Sequence, residues 1–308
     1  MKVCKKCGLP GVFRSSTIKG KRCEHGTCRD CERLAQKRRN QPDARPTVPE
    51  IAQGQAPVIV ELFERPLRRV LFIPDSHIPF HDVKAFDLML RAAEIFRPDT
   101  IVVLGDFADF YSVSAHDKNP TRVSNLEYEV GIVREKRAAL DKLGASRKIF
   151  IEGNHEFRLA RYLASNAPAV FKMLTVPELF QLPENGWEFV PYKTSCKLGK
   201  LHLTHDTGTA GQNAHRQSMN AFQGSTIIGH THRMEFSVMG NADGPPQVGA
   251  MFGWLGGFED VDYLHAIQAR RNWVHGFGIG HQEASGVIHL QPIPIVNGTC
   301  CVLGQLVR

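Results

Sequence analysis

The sequence predicts an α/β fold in which two mixed β-sheets pack together and helices cover their outer faces, an α/β/β/α sandwich with a small N-terminal module. Strand-like apolar runs alternate with helical patterns in the first half of the main body, and short strands dominate after residue 186. The alternation is typical of βαβ units, and the strand-rich remainder supplies a second sheet. Clustered cysteines near the N-terminus indicate the separate module.

Composition divides the chain into three segments. Residues 1–39 are rich in cysteine and basic side chains, and residues 40–57 contain four prolines without apolar periodicity. We therefore expect an extended linker at 40–57 and one main domain over residues 58–308. With 308 residues, of which 42% are hydrophobic, the chain can form one large domain and a small appendage.

The main domain shows its elements in order. Three short apolar runs are typical of buried strands, at 68–75, 100–106 and 148–154. Apolar residues recur at helical spacing in two stretches between them, at 83–96 and 127–144, and a further helix is predicted over 156–174. The strands of the second half are expected at WEFV, LHLTHD, STIIGH and VIHLQPI.

The composition argues against membrane insertion or secretion. No apolar run is long enough to span a bilayer, and no apolar stretch of a secretory signal follows the N-terminal residues MKVCKKCG. We therefore expect a cytoplasmic protein without a membrane partner. The composition leaves the oligomeric state open.

Five polar motifs follow the strand-like runs. They are Asp75-Ser76-His77, Gly105-Asp106-Phe107-Ala108-Asp109, Gly153-Asn154-His155-Glu156, His205-Asp206 and Gly229-His230-Thr231-His232. Because ligands of open α/β sheets bind at the carboxyl ends of strands, these loops are expected to converge on one crevice. Carboxylate and imidazole groups suit Mn, Fe or Zn, and one carboxylate can bridge two ions about 3.5–4 Å apart. The motifs therefore predict a site for two divalent metal ions.

In type and order, these motifs resemble the calcineurin-like metallophosphoesterase superfamily over roughly residues 68–235. The resemblance implies a metal-dependent phosphoester hydrolase. It further implies that one ion is held by Asp75, His77 and His232, that the second is held by Asn154, His205 and His230, and that Asp106 bridges them. His155 would stay unligated, stabilise the transition state and protonate the leaving oxygen, and Asp109 would orient His155.

The ligand His205 departs from the family pattern, because Asp206 follows it where members usually have glycine. His202 is the alternative ligand in the same strand. Side chains alternate between the two faces of a strand, so His202 would point away from the site if His205 points into it. We therefore prefer His205.

The N-terminal segment contains five of the eight cysteines, at Cys4, Cys7, Cys23, Cys28 and Cys31. The pairs Cys4-x2-Cys7 and Cys28-x2-Cys31 are typical of paired knuckles whose four thiolates hold tetrahedral Zn²⁺. We expect one structural zinc ion bound by these four cysteines. Cys23 and His25 are alternative ligands, and thiols that bind no metal are the alternative interpretation.

This segment resembles the small zinc-binding modules of some phage nucleases of the endonuclease VII and HNH type. The resemblance covers about forty residues and favours a phage or bacterial origin, in a bacterial cytosol or a phage-infected host. Residues 1–50 hold thirteen Lys and Arg against five Asp and Glu. A basic edge that suits phosphate contacts is expected from Arg29, Arg33, Lys37, Arg38 and Arg39. The alternative is a solvated helix face.

The expected function is a phosphodiesterase or nuclease that acts on nucleic acid. The alternative is a phosphomonoesterase such as a protein serine/threonine phosphatase, because the GNHE form occurs in that branch. Those enzymes have an arginine in GDxVDRG, whereas this chain continues Asp109-Phe110-Tyr111; Arg158 or Arg161 could take its place. A binding protein with a degenerate metal site is a third hypothesis, and the complete ligand set argues against it.

Overall fold

The computed structural model describes residues 3–5, 13–18, 21–28, 31, 67–116, 118–119, 122, 125–242, 244–260 and 272–308. The chain forms two compact units, Met1–Leu62 and Phe63–Arg308. In the first unit, strands β1 (Phe13–Ile18) and β2 (Lys21–Cys28) form an antiparallel hairpin. The predicted linker lies outside the described residues, as do Cys7, Arg29, Arg33, Lys37, Arg38 and Arg39. The zinc site and the basic edge therefore stay predictions.

The second unit contains a six-stranded mixed sheet. Its four parallel strands are β3 (Arg68–Ile73), β4 (Thr100–Val103), β5 (Arg147–Ile151) and β6 (Trp187–Val190). Two late strands, β12 (Gly276–Gln282) and β13 (Ile288–Pro294), join antiparallel beside β3. The sheet order is therefore β13-β12-β3-β4-β5-β6.

A second, five-stranded sheet has the order β10-β11-β9-β8-β7. Its strands are β7 (Cys196–Leu198), β8 (Leu201–Leu203), β9 (Thr226–Ile227), β10 (Met234–Met239) and β11 (Gln247–Phe252). The strands β8, β9 and β11 are parallel, and the outer strands β7 and β10 run antiparallel to their neighbours. A separate hairpin near the C-terminus joins β14 (Cys300–Val302) and β15 (Gln305–Val307).

The buried parts of the central strands, residues 70–73, 101–103 and 149–151, are apolar on both faces because both faces of the sheet are covered. Alternate residues of β3 lie in different cores: Val70 and Phe72 pack toward the second sheet, and Leu71 and Ile73 toward the helices. The core between the sheets also contains Leu201, Leu203, Ile227, Ala250 and Phe252 of the second sheet. The two sheets therefore pack face to face.

Helices cover the outer faces of both sheets. Helix α1 (Val83–Phe96) begins where the Asp82 side chain accepts the Ala85 N–H, and α2 (Leu126–Asp141) begins at Asn125 in the same way. Both helices supply residues to the core on the outer face of the six-stranded sheet. Helix α5 (Ala214–Phe222) packs on the second sheet, where Ala214 joins Ile228 and Met251. A mixed α/β fold with packed sheets and helices is confirmed.

One predicted helix is too long. Helix α3 covers Phe157–Asn166 and not the whole of 156–174, and a short 3₁₀ turn at Pro168–Val170 follows it. The residue before a proline is disfavoured in the helical region, and Ala167 has left that region with φ −149°. The next helix, α4, is a short one at Val176–Leu179. No helix in the described part of the chain is long and apolar enough to cross a bilayer.

Candidate metal centre

Loops that follow strands of both sheets meet at one site. Three groups of ligand atoms, each within 4.8 Å of one another, are formed by Asp75, His77 and His232, by His77, Asp106 and His155, and by Asp106, His205 and His230. Asn154 lies within hydrogen-bonding distance of His205 and His230. The structure thus brings together all seven predicted metal ligands, together with His155 and Asp109.

The backbone at this site is strained. His77, Asp106, His230 and His232 have φ values of 52°, 48°, 68° and 57°, in the left-handed region that residues other than glycine rarely adopt. The loops also pack too closely for side chains at some neighbouring positions. A Cβ atom on Gly153 would lie 2.2 Å from Oδ1 of Asp106, which explains the glycine there.

The group of Asp75, His77 and His232, called the first cluster, has ring nitrogen atoms that face one another. Nε2 of His77 lies 3.0 Å from Nε2 of His232, and Nδ1 of His77 lies 3.2 Å from the Asp109 carboxylate. The carboxylate accepts the Nδ1 proton, so the neutral His77 ring presents a lone pair at Nε2. Within the described residues, the buried Oδ2 of Asp75 has no hydrogen-bond partner. Lone pairs that converge in this way fit a cation.

In the group of Asp106, His205 and His230, called the second cluster, atoms that can only accept hydrogen bonds again face one another. His205 donates from Nδ1 to the Leu104 carbonyl over 2.8 Å, so its neutral ring carries a lone pair at Nε2. That Nε2 lies 3.2 Å from Oδ2 of Asp106 and 3.0 Å from Oδ1 of Asn154. His230 approaches the same Asn154 oxygen to 2.8 Å through Nδ1. By contrast, His202 stacks on Phe222 on the other face of its strand.

The electrostatics of the site favour a positive charge. Burial raises the pKa of Asp75 to about 7, in spite of the attraction of His205. Burial by itself lowers the pKa of His205, but Asp106 and Asp75 outweigh it and raise the value to about 10. Burial lowers the pKa of His232 well below its ordinary value, and neighbouring His77 lowers it further. A buried pair of carboxylates needs counter-charge, and divalent ions supply it.

Asp109 contacts two histidines at the edge of the site. Its Oδ2 lies 3.1 Å from Nδ1 of His155 and 3.2 Å from Nδ1 of His77. The other ring nitrogen of His155, Nε2, lies 3.9 Å from Oδ2 of Asp106. Burial lowers the pKa of His155, but the carboxylates of Asp106 and Asp109 outweigh it and the pKa is raised. A proton can therefore be held on this ring beside the candidate metal centre.

Two residues that support the site were not predicted from the sequence. Glu156 is fully buried and accepts backbone N–H groups of Asp106, Ala108 and Gly153 at 3.0, 2.7 and 2.8 Å. Trp254 stacks on His232 with ring centroids 4.8 Å apart and an angle of 13° between the planes. Glu156 completes a motif visible in the sequence. Trp254 lies in a Gly- and aromatic-rich stretch whose pattern indicates only a buried core residue.

A comparison with sequence models of known families agrees with this arrangement of residues. Residues 68–234 match the sequence model of the calcineurin-like phosphoesterases, and this segment contains all five motifs. The chain belongs to the calcineurin-like phosphoesterase family. Its histidine and aspartate groups fit a divalent metal site.

Individual relatives come from mycobacterial phages. The gene 54 protein of Mycobacterium phage D29 is 27% identical over 268 residues, covering 78% of this chain and 98% of the relative. The gene 54 protein of Mycobacterium phage L5 is 26% identical over 267 residues, with the same two coverages of 78% and 98%.

The solved structures that match are more distant in sequence. Vacuolar Protein Sorting 29 from Cryptosporidium parvum matches with a TM-score of 0.41 and 14% identity, over 79% of this chain and 96% of that one. The phosphoesterase Yfce from E. coli matches with a TM-score of 0.32 and 14% identity, over 76% of this chain and 91% of that one.

Proposed function

We propose that this protein is a phosphodiesterase that acts on nucleic acid with two divalent ions, Mn, Fe or Zn. The supporting observation is that Asp106 belongs to two of the three ligand groups, one with His205 and His230 and the other with His77 and His155. Bound ions of this kind polarise phosphoryl oxygens and make a water molecule nucleophilic at neutral pH. The rest of the chemistry is assigned to side chains of the chain itself.

The ligand roles follow the family resemblance together with these groups. Asp75, His77 and His232 would hold one ion, Asn154, His205 and His230 would hold the other, and Asp106 would be shared. Two neighbours fix the rings before any ion binds, because Leu104 accepts from His205 and Asp109 lies against His77. Such fixed rings present their lone pairs without reorganisation, which favours tight binding.

His155 acts on the leaving group. Its Nδ1 is held by Asp109, and its Nε2 is directed toward the side of the site where Asp106 lies. In hydrolysis, the charged ring, stabilised by the Asp109 carboxylate, delivers its Nε2 proton to the leaving oxygen and becomes neutral. Asp109 is therefore a positioning residue for His155.

The choice of nucleic acid rests on the N-terminal segment. A zinc ion held by Cys4, Cys7, Cys28 and Cys31 would stabilise this small unit, and the basic residues that follow would contact phosphates. If so, the triple change Lys37→Gln, Arg38→Gln and Arg39→Gln in the full chain weakens DNA or RNA binding. It also lowers the slope of log affinity against log salt by about 2–3, roughly one unit per lost phosphate contact.

The activity is tested with paired chromogenic substrates. We expect the full chain with Mn²⁺ to hydrolyse bis-p-nitrophenyl phosphate faster than p-nitrophenyl phosphate, and to cleave members of a panel of single-stranded, double-stranded and cyclic nucleotides. Asp106→Asn should abolish both hydrolysis and metal binding, measured by elemental analysis. Faster turnover of the monoester would instead identify a phosphomonoesterase, and no hydrolysis with any divalent metal would identify a binding protein.

A further inference from the structure

Arg158 lies against the residues that act on the leaving group. It belongs to the first turn of α3, directly after the loop that carries Asn154 and His155. Its Nη1 donates to the backbone carbonyl and to Oδ1 of Asp109, both at 3.0 Å, and its Nη2 lies 3.0 Å from Nε2 of His155. The side chain is only 12% exposed. The guanidinium is therefore held at the site by three contacts.

The contact with His155 involves the atom that hydrolysis needs. A guanidinium donates hydrogen bonds and accepts none, so Nε2 of His155 is the acceptor in this pair. The leaving oxygen of a substrate has to reach the same Nε2 atom. The bond between Arg158 and His155 must therefore be exchanged when a substrate enters.

We infer that Arg158 binds the phosphoryl group of the substrate, an assignment that rests on the proposed function. Arg158 keeps its bonds to Asp109 and exchanges the His155 contact for a non-bridging phosphoryl oxygen. An arginine suits this exchange because its planar donors match phosphate oxygens and because its charge is permanent. The exchange also frees Nε2 of His155 to take up a proton from solvent, which it can then deliver to the leaving oxygen.

The surroundings favour Arg158 over other cations for this role. Among the Lys and Arg side chains of the described residues, Arg158 is the one that forms hydrogen bonds with both Asp109 and His155. The second motif continues as Phe110-Tyr111 and supplies no cation. Arg161 lies on the same helix but is exposed to solvent. Arg161 is therefore a matched control for the loss of a positive charge on α3.

Phosphate binding to the metal-loaded full chain tests the assignment. Inorganic phosphate is titrated by calorimetry into the wild-type protein and into Arg158→Ala, Arg158→Lys and Arg161→Ala, each with its metal content measured. We expect Arg158→Ala to weaken phosphate binding by about 10–100-fold, the range expected for a lost charge-assisted hydrogen bond. Arg158→Lys should recover part of the affinity, and Arg161→Ala should bind within about twofold of wild type, a surface effect.

Several outcomes would overturn the assignment. Wild-type affinity in Arg158→Ala, an equal loss in Arg161→Ala, or no phosphate binding by the metal-loaded wild-type chain would each do so. If Arg158→Ala binds less metal, Arg158→Gln replaces it, since an amide can still donate to Asp109 without a charge. The titration uses inorganic phosphate and no ester, so it does not depend on hydrolysis. A wild-type chain that cleaves no phosphodiester would refute the proposed function, whereas the Arg158 assignment is decided by the phosphate titration alone.

Discussion

Oδ2 of Asp109 lies 3.1 Å from Nδ1 of His155, and the same oxygen lies 3.2 Å from Nδ1 of His77. One carboxylate thus orients both the proposed proton donor and a proposed metal ligand. Asp109 itself is fixed by Arg158, which donates to its carboxylate and to its carbonyl. In the proposed mechanism, the chemistry on the leaving group and the binding of the first ion would therefore be coupled through Asp109.

Asp109→Asn tests this coupling. The amide keeps the shape of the side chain but lacks the charge that both histidines contact, so we expect kcat to fall by about 10–100-fold and metal affinity to weaken. Steady-state kinetics and a metal titration measure the two effects. Asp87→Asn, an exposed change on α1, is the control and should alter neither. A variant with full metal affinity and reduced kcat would confine the role of Asp109 to His155.

Glu156→Ala should destabilise the protein. The change removes the acceptor of three buried backbone N–H groups, and the resulting loss in the free energy of unfolding is expected to be about 3 kcal/mol or more. Urea unfolding of the metal-free protein measures it. The exposed change Glu135→Ala on α2 should cost little by comparison. Equal midpoints for the two variants would show that Glu156 does not hold these loops.

Trp254 is expected to support metal binding through its stack on His232. Trp254→Leu removes the flat surface against which the imidazole lies, so metal affinity should fall by about tenfold, as for other groups that orient a ligand. Trp254→Phe keeps an aromatic face and should lose less. Trp187→Phe is the control, because that indole donates to Asp141 and lines a different core. Equal metal affinity in the Leu and Phe variants would argue against the stacking role.

Glu129 predicts a pH dependence of stability. Burial raises its pKa above the ordinary value of 4.5, although the Ser112 N–H donates to Oε1 over 2.7 Å. The folded state therefore holds this proton to a higher pH than the unfolded state. The stability that Glu129 contributes is complete below the unfolded-state pKa and is lost as pH rises through the folded-state pKa.

Glu129→Gln cannot ionise and should remove this dependence. The free energy of unfolding of wild type relative to Glu129→Gln is expected to decrease as pH rises from about 4 to 8. Urea midpoints of both proteins in EDTA measure the difference, and exposed Glu127→Gln on the same helix is the control. A difference that stays constant or grows in favour of wild type would contradict the prediction.

Local patterns in the sequence were sufficient for three of the six strands of the first sheet, β3, β4 and β5, whereas β6 (WEFV) and β13 (within VIHLQPI) were expected in the second sheet. Helix α1 was predicted at its observed bounds because its apolar spacing and its stop before proline are both local signals. The place of β12 was not predicted, because its antiparallel pairing with β3 joins residues about two hundred positions apart. Nothing local in its sequence specifies that partner.

The candidate site shows the same division. The convergence of its five motifs could be predicted because each follows a strand, and strand ends in such sheets converge; the choice of ligands came from the family resemblance. Glu156 ends the third motif, and Arg158 was one of two arginines considered in place of the missing one, but their contacts with loop backbone and with His155 are not revealed by any sequence spacing. Trp254 meets His232 only because two loops after different strands pack together.

The candidate ligands come from both layers of the sandwich. Asp75, Asp106 and Asn154 follow strands of the six-stranded sheet, and His205, His230 and His232 follow strands of the five-stranded one. An ion held by both groups of ligands would link the two sheets and stabilise their packing. At a concentration one hundred times its dissociation constant, a ligand of the folded state adds about 2.7 kcal/mol of stability. Metal starvation should therefore shorten the lifetime of the protein in a cell by exposing it to proteases, in addition to stopping its chemistry.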